Sequence, residues 1–85
     1  MPLFLDVHSL DDPVTVGDVA QAHDADLRTQ GPYGVNYLRF WVDEAAGKIF
    51  CLVDAPTVDV AAVVHREAHG LVAQEIYQVT EGALT

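Results

Sequence analysis

One hairpin constrains the fold of this chain more than any other feature in it. Residues 35–43 (VNYLRFWVD) are rich in aromatic and β-branched side chains, which favour a strand. The segment EAAG follows with a glycine at its end, and residues 48–55 (KIFCLVDA) have the pattern of a returning strand. This second run is apolar on both faces, as is typical of a strand in the middle of a sheet. The pattern therefore predicts an antiparallel sheet with the returning strand at its centre.

Helical and extended patterns flank the hairpin on both sides. Thr15 is placed to cap a first helix, Gly31-Pro32 ends that helix, and Gly70 is placed to cap the end of a second. The last residues, 81–85, are predicted as a frayed tail. The predicted elements around the hairpin are a strand at residues 3–8, a helix at 15–30, a helix at 57–69 and a strand at 74–79.

The order of these elements predicts the fold class. Strand, helix, strand, strand, helix, strand is the split βαβ repeat of the α+β ferredoxin-like sandwich. That βαββαβ fold has a four-stranded antiparallel sheet with both helices on one face, and its first and third strands lie in the middle. Residues 1–85 are therefore expected to form a single domain.

The predicted sheet leaves one face without helices, and that face is expected to be strongly apolar. A large exposed apolar patch is unusual on a soluble monomer, so we expect a homodimer through this face or a pocket on it. The alternation of side chains along the strands assigns eight residues to the helix-free face: Phe4, Asp6, His8, Tyr37, Arg39, Trp41, Phe50 and Leu52.

Two pairs of metal-binding side chains have helical spacing. His65 and His69 lie four residues apart and share one helix face, and His23 precedes Asp26 by three residues on the other helix. The helices are neighbours in the predicted fold, and Cys51 alternates with side chains that point toward them. Imidazole and thiolate ligands suit nickel, copper, zinc and iron, so these residues are candidates for one metal site. The alternative is a set of ordinary core or surface residues without a ligand.

Asp6 and His8 form a further candidate site. They lie two residues apart on the first strand and therefore project from the same face. The face to which they are assigned is the helix-free one, so we expect a second, surface metal site there, or else an interface salt bridge or a solvated pair. His8 is thus the sixth candidate metal ligand, beside His23, Asp26, Cys51, His65 and His69.

The composition excludes several classes of partner. Thirteen acidic and four basic residues give a net charge of −9, which argues against nucleic acid and against anionic membrane surfaces. The acidic balance favours cations, or simply solubility. No apolar run approaches the length of a membrane span, and the start MPLFLDVH lacks the basic region of a secretory signal. Cys51 is the single cysteine, so no internal disulfide forms, in keeping with a reducing cytoplasm.

Three ordered motifs identify a resemblance to a known family. They are W-x-D, then G-K-x-F-C-L-V-x-A-P, then H-x-x-A-H-G, within the segments YGVNYLRFWVDEAAGKIFCLVDAP and VVHREAHGLVAQEIYQV. Across nearly its whole length the chain resembles a family of small bacterial proteins classed as a domain of unknown function. The resemblance implies a ferredoxin-like fold, a dimer, and binding of nickel, as in a characterised actinobacterial member.

Three functions remain open at this point. The first is a small cytoplasmic, dimeric protein that binds nickel or another divalent transition metal without catalysis. The second is a ferredoxin-like dimer that binds or transforms a small molecule in a pocket lined by the aromatic sheet face, with Tyr37, Arg39, Trp41 and His8. The third is an interaction module in which the histidines are incidental.

Overall fold

The computed structural model describes residues 2–82 and contains the six predicted elements in the predicted order. Residues 83–85, to which most of the predicted tail belongs, lie outside the described part, and residues 81–82 have no regular structure. A single 3₁₀ turn, Gly31–Tyr33, follows the first helix. The strands are β1 (Leu3–Ser9), β2 (Asn36–Asp43), β3 (Lys48–Asp54) and β4 (Glu75–Val79), and the helices are α1 (Val16–Thr29) and α2 (Val58–Ala68).

The sheet has the strand order β2-β3-β1-β4, with each neighbouring pair antiparallel. The prediction that the first and third strands lie in the middle is confirmed, and so is the ferredoxin-like α+β fold. Neither helix in residues 2–82 is long and apolar enough to cross a membrane.

Threonine caps fix where both helices begin. The Thr15 hydroxyl accepts a hydrogen bond from the Asp18 amide at 3.1 Å, and the Thr57 hydroxyl accepts one from the Val60 amide at 3.2 Å. The second helix ends at Ala68, and the following glycine, Gly70, has a φ of 81° that only glycine adopts easily. The chain turns sharply there and enters the connection to β4.

The core lies between the sheet and the two helices. On β3 the inward side chains are Ile49, Cys51 and Val53, as the sequence predicts, and α2 contributes Ala61 and Val64. All five are buried to at least nine-tenths. The position of Cys51 beneath the helices is therefore confirmed.

The predicted face of β1 is wrong. Phe4, Asp6 and His8 pair across the sheet with Val53, Cys51 and Ile49, and directly opposed residues project to the same side. The three side chains therefore face the helices, and all are more than nine-tenths buried. Two polar side chains are buried on this side because Asp6 pairs with His65 on α2, and His8 pairs with Asp6 and packs against the ring of His65.

A bulge in β2 makes a second part of that prediction wrong. The register of β2 on β3 shifts between Tyr37 and Arg39, so Leu38 is an additional residue. Tyr37 therefore faces the helices and is 3% exposed, whereas Arg39 and the half-exposed Trp41 lie on the open face as predicted. Register assigns the following apolar side chains to the open face: Leu3, Leu5, Val7, Trp41, Phe50, Leu52, Tyr77 and Val79.

A candidate metal centre between sheet and helices

His65 lies between two carboxylates in the interior. Its Nδ1 is 2.8 Å from Oδ1 of Asp26 on α1, and its Nε2 is 2.8 Å from Oδ2 of Asp6 on β1. All three residues are 1–2% exposed. A histidine whose two ring nitrogens both face carboxylates is held with a proton on each, because a carboxylate can only accept. The structure therefore places an imidazolium at the centre of the core.

The pKa values of the three groups agree with this charge state. Burial alone would lower the pKa of His65, but the hydrogen bonds and charges of Asp26 and Asp6 outweigh it and raise that pKa to about 9. Burial would raise the pKa of Asp6, but His65 lowers it to about 2, and the pKa of Asp26 is lowered in the same way. Two carboxylates and one imidazolium leave one negative charge uncompensated.

Tyr37 covers the face of this imidazolium. Its ring centroid is 4.3 Å from that of His65, at an interplanar angle of 32°, which is within the range of cation–π attraction. The Tyr37 hydroxyl donates to the Ala61 carbonyl at 2.9 Å, and burial raises the pKa of this phenol. Tyr37 is therefore a neutral wall of the centre that also ties β2 to α2.

Four potential metal ligands meet on the sheet side of His65. Asp6, His8, Cys51 and His65 each offer an atom, and the four atoms lie within 4.8 Å of one another. All four residues are buried. Nε2 of His8 is 3.3 Å from Oδ1 of Asp6, but the contact is not aligned as a hydrogen bond, and Oδ1 has no hydrogen-bond partner within residues 2–82. Burial and the charge of Asp6 raise the pKa of the Cys51 thiol.

A second group lies on the helix side of the same imidazole. Asp26, His65 and His69 offer three atoms within 4.8 Å of one another. Nε2 of His69 is 3.1 Å from Oδ1 of Asp26, and the Leu71 amide donates to Nδ1 of His69 at 3.1 Å. Since Nδ1 accepts a hydrogen bond, the proton of His69 lies on Nε2, which is 3.1 Å from both Oδ1 of Asp26 and Nδ1 of His65.

His23 belongs to neither group of ligands. Its ring packs 5.0 Å from that of Phe40, and its Nδ1 is buried without a hydrogen-bond partner in the described part of the chain. His23 does line the cavity, together with every member of the two groups except Asp6. All six predicted ligands line this one cavity: His8, His23, Asp26, Cys51, His65 and His69. The space open to the centre of a water molecule is about 20 Å³, enough for one water or one ion.

The sequence reasoning missed the roles of Asp6 and Tyr37. The prediction of a surface site at Asp6 and His8 is wrong, because the two residues are 1% and 3% exposed. Asp6 is the only charged residue within β1 and pairs directly with Cys51, so a correct register would have identified it. No sequence signal would have placed Tyr37 at the centre, because its orientation depends on the bulge.

Comparisons with known proteins agree with this architecture. The crystal structure of SCO4226 from Streptomyces coelicolor A3(2) is 36% identical, matching over 95% of this chain and 99% of that chain, with a TM-score of 0.87. No curated protein matches the chain. The family model described as "Nickel responsive protein SCO4226-like" matches residues 4–79, which include both groups of ligands. The chain therefore belongs to the SCO4226-like family of nickel responsive proteins.

Proposed function

We propose that this protein binds one divalent transition-metal ion, with nickel as the first candidate, and has no catalytic activity of its own. The ligands are Asp6, His8, Cys51 and Nε2 of His65. The observation that carries the proposal is the meeting of these four donors within 4.8 Å in a fully buried position. The family description supports nickel as the ion.

The charge and the donor atoms of the centre fit a transition-metal cation. Oδ1 of Asp6 is buried without a hydrogen-bond partner in residues 2–82, and such an atom costs free energy unless something binds it. The cluster around His65 carries an uncompensated negative charge in the interior, which a cation would neutralise. Two imidazoles, a carboxylate and the sulfur of Cys51, whose thiol would release its proton on binding, are a donor set that nickel and its neighbours in the series accept.

The cavity favours an ion over an organic ligand. Ligand pockets have volumes of about 300–1,000 Å³, whereas this space admits roughly one water molecule. The alternative pocket on the aromatic sheet face loses two of its expected lining residues. Tyr37 and His8 face the helices, while Arg39 and Trp41 lie on the opposite side of the sheet.

The open sheet face supports the further proposal of a homodimer. Its central rows are Arg39, Leu52, Leu5 and Tyr77, then Trp41, Phe50, Val7 and Glu75. The two middle residues of each row are apolar. Arg39 on β2 and Glu75 on β4 place opposite charges on the two edge strands, which suits two-fold pairing with a second copy. We place the protein in the cytoplasm, because a thiol ligand such as Cys51 must stay reduced.

Calorimetry tests the metal site. The wild-type chain, purified without a histidine tag, should bind one nickel ion per chain at neutral pH. His8→Ala and Cys51→Ser should each weaken binding by more than about 100-fold, beyond the 10–100-fold typical of residues around a metal's ligands. The matched control is His23→Gln, a histidine on the same cavity that is outside the ligand group, and its affinity should equal that of the wild type.

Two results would refute the proposed ligand set. One is nickel affinity that stays unchanged in both His8→Ala and Cys51→Ser. The other is a loss of nickel affinity in His23→Gln as large as the loss in those two variants, which would place the ion elsewhere in the cavity. Thermal unfolding of each metal-free variant checks that the fold is retained.

A further inference from the structure

Two candidate metal-binding groups share His65, and the hydrogen bonds around His69 distinguish between them. We propose that Asp26 and His69 are positioning residues: they hold the proton of His65 on Nδ1, so that Nε2 is the nitrogen offered to the metal. This inference rests on the proposed function and assigns a role to the group of three residues on the helix side of the ring. It changes the expectation from the sequence, in which Asp26 and His69 are ligands.

The Leu71 amide determines which ring nitrogen of His69 carries the proton. It donates to Nδ1 of His69 at 3.1 Å, and an atom that accepts a hydrogen bond carries no proton. The proton of His69 is therefore on Nε2, the atom that points at Asp26. A metal ion bound at Nε2 would need the proton to move to Nδ1, where it would oppose the amide proton of Leu71. His69 is thus arranged as a donor to Asp26 and not as a metal ligand.

Asp26 connects His69 to His65, because its carboxylate contacts a nitrogen of each ring. Its Oδ1 accepts a hydrogen bond from Nδ1 of His65 at 2.8 Å and lies 3.1 Å from Nε2 of His69, so the nitrogens of both rings face one oxygen. Nε2 of His69 is also 3.1 Å from Nδ1 of His65, but Nδ1 uses its proton to donate to Asp26 and cannot accept a second one, which leaves Asp26 as the acceptor for His69. A metal ion that binds Nε2 of His65 displaces the proton from that nitrogen, while Asp26 keeps the other proton on Nδ1. This is a recurrent arrangement around metal ions.

The chain's fold connects these residues in a line from the surface to the core. Gly70 has a φ of 81° and brings the Leu71 amide back onto His69. His69 and His65 lie one turn apart at the end of α2, and Asp26 reaches them from α1. On the far side of His65, Nε2 faces Asp6, which belongs to the four-donor group. The helices thus orient the ring and the sheet supplies the other ligands.

Variants of His69 separate positioning from ligation. The amide NH₂ of glutamine can take the place of Nε2–H and donate to Asp26, but glutamine offers no imidazole nitrogen to a metal. His69→Gln should therefore keep nickel affinity within about threefold of the wild type, whereas His69→Ala should lose about tenfold. Asp26→Asn should lose about 10–100-fold, because the neutral amide no longer holds the proton on Nδ1 of His65. Affinities are measured by calorimetry with nickel alone on the full chain.

Spectroscopy distinguishes the positioning of His65 from a general structural role of Asp26 and His69, because it reports the metal ligands and the protonated ring nitrogens directly. X-ray absorption at the nickel edge should show two imidazoles and one sulfur in the wild type, in His69→Ala and in Asp26→Asn alike. Nitrogen NMR of the metal-free protein should find neutral His69 protonated at Nε2 and His65 protonated at both nitrogens. His23→Gln is the control for loss of any histidine from the cavity.

The results that overturn the inference differ from those that overturn the proposed function. If the X-ray absorption spectrum of nickel-bound His69→Ala shows one imidazole fewer than that of the wild type, His69 is a ligand and the positioning role is refuted. A loss of nickel affinity in His69→Gln as large as in His69→Ala has the same meaning. A proton on Nδ1 of His69 in the metal-free wild type refutes it as well, whatever the nickel affinity. A wild type that binds nickel without sulfur overturns the proposed ligand set, and one that binds no nickel overturns both.

Discussion

His65 determines how the stability of the metal-free protein depends on pH. Its pKa is raised from 6.5 to about 9 by Asp26 and Asp6, so the folded chain binds its proton more tightly than the unfolded chain. The resulting stabilisation is fully present below pH 6.5 and is lost as the pH rises through 9. Since one pKa unit corresponds to about 1.4 kcal/mol, the loss should be about 3 kcal/mol.

Asp6 determines how the stability of the metal-free protein falls at acidic pH. Its pKa is lowered to about 2, so its stabilisation is present above the usual value of 3.8 and is lost as the pH falls toward 2. Urea unfolding of the metal-free protein should therefore give the largest free energy between about pH 4 and 6.5. His23→Gln should show the same profile. A free energy that stays level between pH 7 and 9.5 would contradict the buried imidazolium.

At the scale of the elements, the hairpin turn depends on one glycine. Gly47 has a φ of 67°, and a Cβ at this position would lie 2.5 Å from the backbone oxygen of Asp12. Both the backbone conformation and the contact oppose any side chain, so Gly47→Ala should lower the free energy of unfolding by about 1–3 kcal/mol.

Gly31→Ala is the matched control for the hairpin turn. It lies at another chain turn, but a Cβ there meets nothing within 4 Å and its φ is negative. Its free energy of unfolding should change by less than about 0.5 kcal/mol, as at most surface positions. Equal effects of the two substitutions in urea titrations would show that the close approach to Asp12 is not what limits this turn.

The same elements show how far the sequence could predict the fold. The hairpin, both capped helices and the order of strands follow from local patterns, because turn residues, caps and apolar periodicity lie within a few positions of each other. The face of β1 does not follow from such patterns. Asp6 is buried because His65, 59 positions away, neutralises it, and only the folded chain brings the two together.

The candidate site shows the same division. The spacing of His65 and His69 and the inward direction of Cys51 were predictable, since both depend on one element alone. Which nitrogen of each ring is available to a metal was not predictable, because it depends on the Leu71 amide and on a carboxylate from the other helix. Tyr37 was missed for a related reason, since a bulge one residue away reverses its direction.

At the scale of the whole molecule, the two helices cover one face of the sheet and leave the other face open, and from the open face we predict a dimer. Trp41 and Tyr77 are each 49% exposed on opposite edge strands, with Leu5, Phe50 and Leu52 partly exposed between them. Burial of this surface against a second copy should yield a dimer in sedimentation equilibrium at micromolar concentration.

Trp41→Glu tests this interface without disturbing the metal centre. The substitution places a charge within the proposed contact, on the edge strand β2 and on the side of the sheet away from His65. The chain should therefore sediment as a monomer and keep its nickel stoichiometry. Leu38→Glu is the matched control, because Leu38 is equally exposed but lies at the bulge outside the paired rows. It should remain dimeric. A wild-type chain that sediments as a monomer would leave the aromatic face without this partner, while dimers of Trp41→Glu would move the interface to another surface.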